Sequence, residues 1–351
     1  MLLLSKLLRN VEIAKLILTD KCIKCNYRFF GVTKRNYSTD DNSSELKVER
    51  LKARSVLSVE GSDSLNFLQD LTTNDIRLLE DSSKCIFSAF LNAKGKVIHD
   101  TIIYKPENQD IFLVECDISS IEALQVHMTM YRGRRRVEIR SVENELNVWA
   151  IYNPSEGNIG EIDLGENVVV CPDPRVSYLG LRVLAPAGLD VAKKINNKGT
   201  STSNVSFYKS LRYKLGIGEG AREIPYGRYS PTEVNCDFLN GICSRKNMYI
   251  GQEAAMKEDK AVKQKSRLMP IFLEILKMRS FPLNTPIEDV MRKRKTPVGY
   301  LRGNQGRVGI GLMKVSEALH QANIRVGQIL GHCARPPWWP NEEDDISKKI
   351  I

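Results

Sequence analysis

The spacing of apolar residues changes once along this chain, near residue 266, and that change limits the folds that the chain can adopt. Between residues 49 and 265, short apolar strands alternate with amphipathic helices, which predicts a layered α+β structure. Beyond Arg267 only short strands separated by turn residues follow, which is typical of a small barrel. The barrel strands are predicted at 269–273, 299–302, 308–313 and 324–330.

Within the α+β part, a β-hairpin is the clearest element. Two apolar strands, 88–91 and 97–104, flank the short loop 92–96, which contains a glycine. The stretch 153–174 is richer in glycine and proline and predicts a domain boundary, whereas 216–252 shows little periodicity. Amphipathic helices are predicted at 65–71, 118–130 and 206–215.

Two of these helices carry details that a structure can test. Asp63 precedes the first helix and is predicted to be its N-cap, because an Asp side chain accepts hydrogen bonds from the free backbone N–H groups of a first turn. The last helix has Phe207, Leu211 and Leu215 on one side. We expect that side to face the core.

The first 37 residues resemble a mitochondrial transit peptide. Their eight Lys or Arg residues outnumber Glu12 and Asp20, apolar residues lie between the charges, and Arg35 stands shortly before a predicted cleavage near Ser38. We therefore predict a transit peptide at 1–37 and a polar linker at 38–48. A disordered basic tail is the alternative interpretation.

Removal of this segment changes the charge of the protein. The whole chain carries a net charge of +10, and the eight basic and two acidic residues of 1–37 give that segment +6, which leaves +4. The basic clusters of the remainder, Arg132 with 134–136 and the run 292–295, lack interleaved aromatic residues, so nucleic-acid binding is not predicted. No window approaches the roughly 18–20 apolar residues of a membrane helix.

Cysteines and histidines predict no metal cage by their spacing. Of the eight cysteines, Cys22 and Cys25 lie in the predicted presequence, and the other six are scattered, so we expect reduced thiols. The four histidines are far apart. The glycine-rich run 216–220 follows a helix instead of a strand and lacks the spacing of a nucleotide loop.

Several ordered segments carry a family resemblance. The most specific is the box 246–253, which here reads Lys-Asn-Met-Tyr-Ile-Gly-Gln-Glu. The other segments lie at 61–76, 90–100, 131–139, 212–237 and 336–340. In this order they resemble the family that unites the glycine-cleavage T-protein (GcvT, an aminomethyltransferase), sarcosine-oxidase-like folate domains, the bacterial YgfZ protein and its mitochondrial relatives. The box is similar to the K-G-C-Y-x-G-Q-E sequence of the YgfZ and mitochondrial branch, except that Asn247 and Met248 replace Gly-Cys.

The resemblance implies an α+β folate-binding fold, with two intertwined α+β domains and a C-terminal β-barrel arranged as a ring around tetrahydrofolate. The corresponding boundaries are predicted at 49–152, 153–265 and 266–340, followed by a charged tail at 341–351. It also implies an assembly factor in the mitochondrial matrix that acts late, with an A-type scaffold protein, to mature four-iron four-sulfur proteins such as lipoate synthase and aconitase. The alternatives are a folate-dependent aminomethyltransferase or one-carbon enzyme, and a divergent, inactive family member.

The same resemblance proposes roles for individual residues. Asp100, Arg212 and Glu219 are candidate tetrahydrofolate contacts, although Arg212 could equally form a structural ion pair with Glu219 or Glu223. The box residues are candidates for partner binding or for structural support, namely Lys246, Met248, Tyr249, Gly251, Gln252 and Glu253. Trp338 and Trp339 could anchor a partner or cover the barrel.

A methionine at position 248 weakens any role for this chain as a cluster ligand. A thioether is neutral and a poor iron ligand, whereas a thiolate binds iron directly. Cys243 is a weak candidate to replace it, and an iron–sulfur cluster is expected here only together with a partner.

Overall fold

The computed structural model describes residues 46–81, 83–106, 111–153, 159–160, 162–196, 206–246, 248–261, 265–275, 280–291, 296–320 and 323–340. The predicted transit peptide, the tail 341–351, Asn247 and the basic run 292–295 lie outside these residues. No helix in these ranges is both long and apolar enough to cross a membrane.

A five-stranded antiparallel sheet forms the first layer, in the order β3-β4-β5-β2-β6. The predicted hairpin is confirmed as β3 and β4. The central strands are buried on both faces, because helices cover one side and a second sheet covers the other. The strands are β2 (Arg54–Glu60), β3 (Cys85–Leu91), β4 (Val97–Tyr104), β5 (Ile111–Asp117) and β6 (Glu138–Ser141).

A four-stranded antiparallel sheet, in the order β1-β7-β9-β8, forms the second layer. Its first two strands come from the part of the chain that precedes the predicted boundary, so the two α+β domains are intertwined, as the resemblance implied. The predicted polar linker ends earlier than residue 48, because its last residues pair with β7. The strands are β1 (Lys47–Arg50), β7 (Leu146–Tyr152), β8 (Val169–Pro172) and β9 (Leu181–Pro186).

Helices α1 (Ser64–Leu71) and α3 (Ile121–Arg132) cover the outer face of the five-stranded sheet. Between them in sequence lies the short α2 (Leu78–Asp81). Asp63 occupies the N-cap position of α1, but its carboxylate accepts the backbone N–H of Arg136 at 2.7 Å instead of capping the helix. A 3₁₀ turn precedes α3, so this helix begins three residues later than predicted.

Helix α4 (Val191–Asn196) covers the outer face of the four-stranded sheet, and α5 (Phe207–Leu215) packs between that layer and the barrel. The predicted apolar side of α5 is wrong for Phe207, which is 56% exposed, because Tyr208 is the residue that turns into the core with Leu211. The Ser206 hydroxyl caps this helix by accepting the N–H of Lys209. Helix α6 (Gln252–Ala261), which was not predicted, buries none of its side chains.

The C-terminal part is a closed barrel in the order β10-β13-β12-β11-β14-β15. The strand predicted at 324–330 is two strands, because Gly327 adopts a φ of +60° and turns the chain. Helix α7 (Val315–His320) and strand β11 were not predicted. The strands are β10 (Ser266–Leu273), β11 (Pro286–Asp289), β12 (Gly299–Gln305), β13 (Val308–Lys314), β14 (Ile324–Val326) and β15 (Ile329–Cys333).

One pair of cysteines contradicts the expectation of reduced thiols. Cys85 on β3 and Cys171 on β8 are joined as a disulfide between the two sheets. Their separation in sequence gave no sign of this contact, which depends on the packing of the two layers. The free cysteines of the described residues are Cys116, Cys236, Cys243 and Cys333.

Candidate functional site

Three of the segments that carry the family resemblance meet in space. The box 246–253 lies against the end of α1 on one side and against the hairpin loop 92–96 on the other. The backbone N–H of Cys243 donates to Thr73 O at 3.1 Å, and that of Ile250 donates to Asp70 O at 3.2 Å. These two main-chain hydrogen bonds hold the box and the residues just before it against the end of α1.

Lys246 is the buried centre of this arrangement. Its Nζ donates to the carbonyl oxygens of Thr72 at 2.5 Å and Asn74 at 2.6 Å, and also contacts Thr72 Oγ1 at 3.3 Å. Burial lowers the pKa of Lys246 to about 7, while the nearby Asp75 opposes this shift. Three oxygen acceptors match the three N–H groups of an ammonium, so the geometry favours the charged form.

Gly251 has a structural role that only glycine fills at low cost. Its φ of +80° is unfavourable for other residues, and a Cβ at this position would overlap the carbonyl oxygen of Asn92. Gly95, in the hairpin loop, approaches the backbone of Ala255 just as closely. The loop and the start of α6 are therefore in direct contact through two glycines.

Some of the remaining box residues contact Lys246 and support the box, whereas others are exposed to solvent. Gln252 Nε2 donates to Lys246 O at 3.4 Å, and the half-buried Tyr249 ring lies 5.4 Å from Lys246 Nζ. The Glu253 side chain, in contrast, is 77% exposed and forms an ion pair with Lys257 at 3.7 Å. Met248 is 78% exposed. We call the exposed part of this region the box surface, which consists of Met248, Glu253 and Met256.

Neither nearby cysteine lies in a conventional ligand arrangement. Cys236 is fully buried, and burial raises the pKa of its thiol well above the usual range. Cys243 is half-buried and lies in an irregular loop, the one local geometry in which it could approach position 248. It also lines a cavity of about 1100 Å³ together with Cys85 and Cys171. Among the described residues, no three His, Cys, Asp or Glu side chains are grouped as metal ligands.

The three candidate folate residues lie together, but they bind one another and their neighbours. Asp100 accepts from Arg54 Nη1 at 3.1 Å and from the backbone N–H of Gly220 at 3.0 Å. Arg212 donates to Glu223 at 2.7 Å and lies 3.6 Å from Glu219. All three side chains are buried. Of the two roles that the sequence allowed for Arg212, the structure thus shows the ion pair with Glu223.

These residues belong to a larger buried ion network that sequence reasoning missed. Arg182 donates to both oxygens of Glu115 and to Glu219 at 3.1 Å. Burial alone would raise the pKa of Glu115, but Arg182 and Arg54 outweigh it and lower that pKa to about 2. The same kind of balance lowers the pKa of Glu219. The sequence did contain one indication of this network, namely single charged residues inside the apolar strands β5 and β9.

The tryptophan pair near residue 338 covers the barrel. Trp338 Nε1 donates to Leu215 O at 2.8 Å, at the end of α5. Trp339 is buried and packs edge to face on Phe238. Of the two interpretations of this pair, the structure supports the covering role.

Comparisons with known proteins agree with this architecture. The protein-family model described as the GCVT N-terminal domain matches residues 52–159. The family model described as the CAF17 C-terminal beta-barrel domain matches residues 265–341. Among solved structures, the glycine cleavage system aminomethyltransferase T from Bartonella henselae is similar with a TM-score of 0.64 at 14% identity, over 84% of this chain and 86% of that one. This likeness shows the fold.

Curated relatives are similar over most of their length. The iron–sulfur cluster assembly factor IBA57, mitochondrial, of Homo sapiens is 32% identical over 313 residues, covering 83% of this chain and 85% of the relative. The protein of the same name from Mus musculus is 30% identical over 309 residues, with the same coverage. The resemblance drawn from the box and its companion segments is confirmed, and the chain belongs to the family of IBA57 mitochondrial iron–sulfur cluster assembly factors.

Proposed function

We propose that this protein assists the late assembly of four-iron four-sulfur proteins in the mitochondrial matrix, together with an A-type scaffold protein. The clients we expect include lipoate synthase and aconitase. Cluster assembly and the mitochondrion are what the names of the curated relatives state. The matrix, the scaffold and the clients are the finer part of the proposal, which rests on the resemblance of the box 246–253.

The box surface is the observation that carries the proposal. Lys246 and Gly251, which flank Met248 in the sequence, are held by close contacts with Thr72 and Asn92, and the Met248 side chain is exposed. Met256, one turn into α6, is exposed as well. Flexible, polarizable methionine side chains adapt well to a partner surface. Exposed side chains that lie close to well-held positions favour docking, since less order is lost there on binding.

The sulfur chemistry favours a cluster that is held by the partner. A thioether at position 248 is a weak iron ligand, and the buried Cys236 has a thiol whose pKa is raised. We therefore propose that the cluster is cargo, held chiefly by the cysteines of the scaffold. This chain contributes a docking surface through which the scaffold is positioned.

A rescue assay in cells depleted of this protein tests the proposal. Lipoylation and aconitase activity are measured after expression of wild type, Cys243→Ser, Met248→Cys and the control Cys333→Ser. The control removes a half-buried free thiol on the barrel. We expect wild type and both serine variants to restore both activities. Loss of rescue with Cys243→Ser alone, or rescue only with Met248→Cys, would show that a cysteine of this chain is indispensable.

Tetrahydrofolate is a separate proposal, and Asp100, Arg212 and Glu219 do not fit it as ligands in the arrangement described above. Each is buried and bound by its neighbours, so folate would need other contacts in the fold. For the same reason these residues do not support the alternative of aminomethyl transfer. Titration calorimetry of wild type with tetrahydrofolate tests binding. An absence of heat at millimolar ligand would contradict folate binding.

A further inference from the structure

We propose that the end of helix α3 and the turn after it form a second docking surface, which takes an apolar patch with an acidic rim on the protein partner. This inference rests on the proposed function, because the partner is the scaffold that docks on the box surface. We call the region the arginine surface, which consists of Val126, Met130, Tyr131, Arg132, Arg134 and Arg136.

The centre of the arginine surface is apolar and exposed. Val126 is 60% exposed and Met130 is 75% exposed. They are four residues apart and therefore adjacent on one face of the helix. Leu124 and Met128 are the residues of α3 that pack on the sheet, so the Val126 and Met130 side chains point away from the core. Packing among the described residues does not explain two large apolar side chains in that position.

The rim of the surface is positively charged. Among the described residues, neither Arg134 nor Arg136 makes an ion pair, whereas Arg135 pairs with Asp70 at 2.5 Å. A cation in the last turn of a helix interacts favourably with the helix dipole. That explanation covers Arg132, which lies in the last turn of α3, but Gly133 ends the helix before the other arginines. Two arginines are thus left to meet an acidic partner.

Residues beside the two surfaces, Arg135 and Ile250, both contact Asp70. Asp70 binds Arg135 with its carboxylate, and its carbonyl oxygen accepts the backbone N–H of Ile250 at 3.2 Å. The guanidinium of Arg135 also lies 5.7 Å from the ring centroid of Phe67, which fixes it in place. Asp70 thus links the turn that carries Arg134 and Arg136 to the box.

The composition of this region favours a protein over an anionic membrane. Arginine, methionine and tyrosine are enriched at protein interfaces, where arginine side chains frequently dominate the binding energy. Membrane-surface helices bury a wide apolar face in the lipid. In α3 the apolar residues Ile121, Leu124 and Met128 pack on the sheet, and the exposed apolar patch is limited to Val126, Met130 and Tyr131.

The test measures the affinity of the mature full-length chain for a purified A-type scaffold protein at low and at high salt. Wild type is compared with Arg134→Glu/Arg136→Glu, with Met130→Asp, and with the control Lys52→Glu/Lys193→Glu, which reverses two exposed charges elsewhere. We expect the double arginine variant to raise Kd about tenfold or more at low salt, because rim charges steer and hold a complementary partner. Met130→Asp should also raise Kd, and the control should change it less than about threefold.

Each outcome bears on a distinct claim. A wild-type chain that does not bind the scaffold overturns the proposed partner, and the inference falls with it. A scaffold Kd unchanged in both arginine-surface variants, whose melting temperatures match wild type, overturns the inference alone. Flotation with cardiolipin-containing vesicles is the last arm. Arginine-dependent flotation with an unchanged scaffold Kd would assign the surface to the membrane and overturn the proposal.

Discussion

At the scale of single residues, the buried guanidinium of Arg182 is the group on which most of the central network depends. It binds Glu115 and Glu219 at the same time, and no part of it reaches solvent. Tyr104 also donates to Glu115, at 2.5 Å. A buried carboxylate is tolerated only while its cation is present, because the desolvation penalty of each charge is several kcal/mol.

Replacement of Arg182 by methionine is therefore expected to lower the free energy of unfolding by about 3–5 kcal/mol. Chemical denaturation measures the change. Arg140→Met is the matched control, since Arg140 is exposed and its ion pairs contribute less than about 1 kcal/mol. Equal effects of the two substitutions would contradict the role given to the network.

The pH dependence follows from the same carboxylate. Glu115 has a folded-state pKa of about 2, below its ordinary value of 4.5, so its contribution is complete above about pH 4.5 and disappears as the pH falls towards 2. Arg182→Met raises that pKa. The wild-type free energy of unfolding should accordingly fall more steeply with acid in this window than that of the variant.

At the scale of elements, the hairpin loop and α6 are held together without any buried side chain on the helix. Gly95 and Gly251 allow backbone to meet backbone, and the pair of Lys96 and Glu258 adds one ion pair across the contact. Close backbone approach thus replaces the usual apolar face. A single methyl group added at this glycine contact should therefore destabilise helix α6 more than the solvent exposure of the helix suggests.

Gly251→Ala is expected to destabilise the protein by about 1–3 kcal/mol, because alanine is strained at positive φ and its Cβ meets the Asn92 carbonyl. Faster amide hydrogen exchange across Gln252–Ala261 should accompany the loss. Gly188→Ala is the control, at a position with open space around it, and should change stability by less than about 1 kcal/mol. Unchanged exchange in the Gly251 variant would mean that the glycine contact does not hold the helix.

At the scale of the whole molecule, the first described strand lies close to the predicted cleavage site. Strand β1 starts at Lys47, shortly after Ser38. We expect mass spectrometry of the protein from mitochondria to find a mature N-terminus near Ser38, because the basic, apolar segment 1–37 is typical of a presequence. Recovery of the chain with Met1 intact from the cytosol would contradict this prediction.

How much the sequence predicted depended on whether each feature is local. The hairpin of β3 and β4 and the extent of α5 follow from short-range patterns, and the structure confirms them. The pairing of Cys85 with Cys171 depends on the contact between two layers, and no pattern near either residue reports it. Helix α6 was missed because a helix without a buried side has no apolar periodicity.

The same distinction between local patterns and long-range contacts applies to the candidate site. The box was recognised from its residue types, whereas the contacts that hold Lys246 and Gly251 depend on the distant Thr72 and Asn92. The network around Glu115 was missed because its cations come from β2 and β9, far apart in sequence. Only the packing of the two sheets brings these charges together.

The pairing of β1 with β7 sets an order of events for a chain that crosses a membrane N-terminus first. Lys47 emerges early, but its partner Tyr152 follows only after all five strands of the other sheet have passed. An unpaired strand exposes free N–H and C=O groups to other chains, and pairing over such a distance is slow. The leading segment is therefore the part of the molecule that chaperones can reach for longest during translocation.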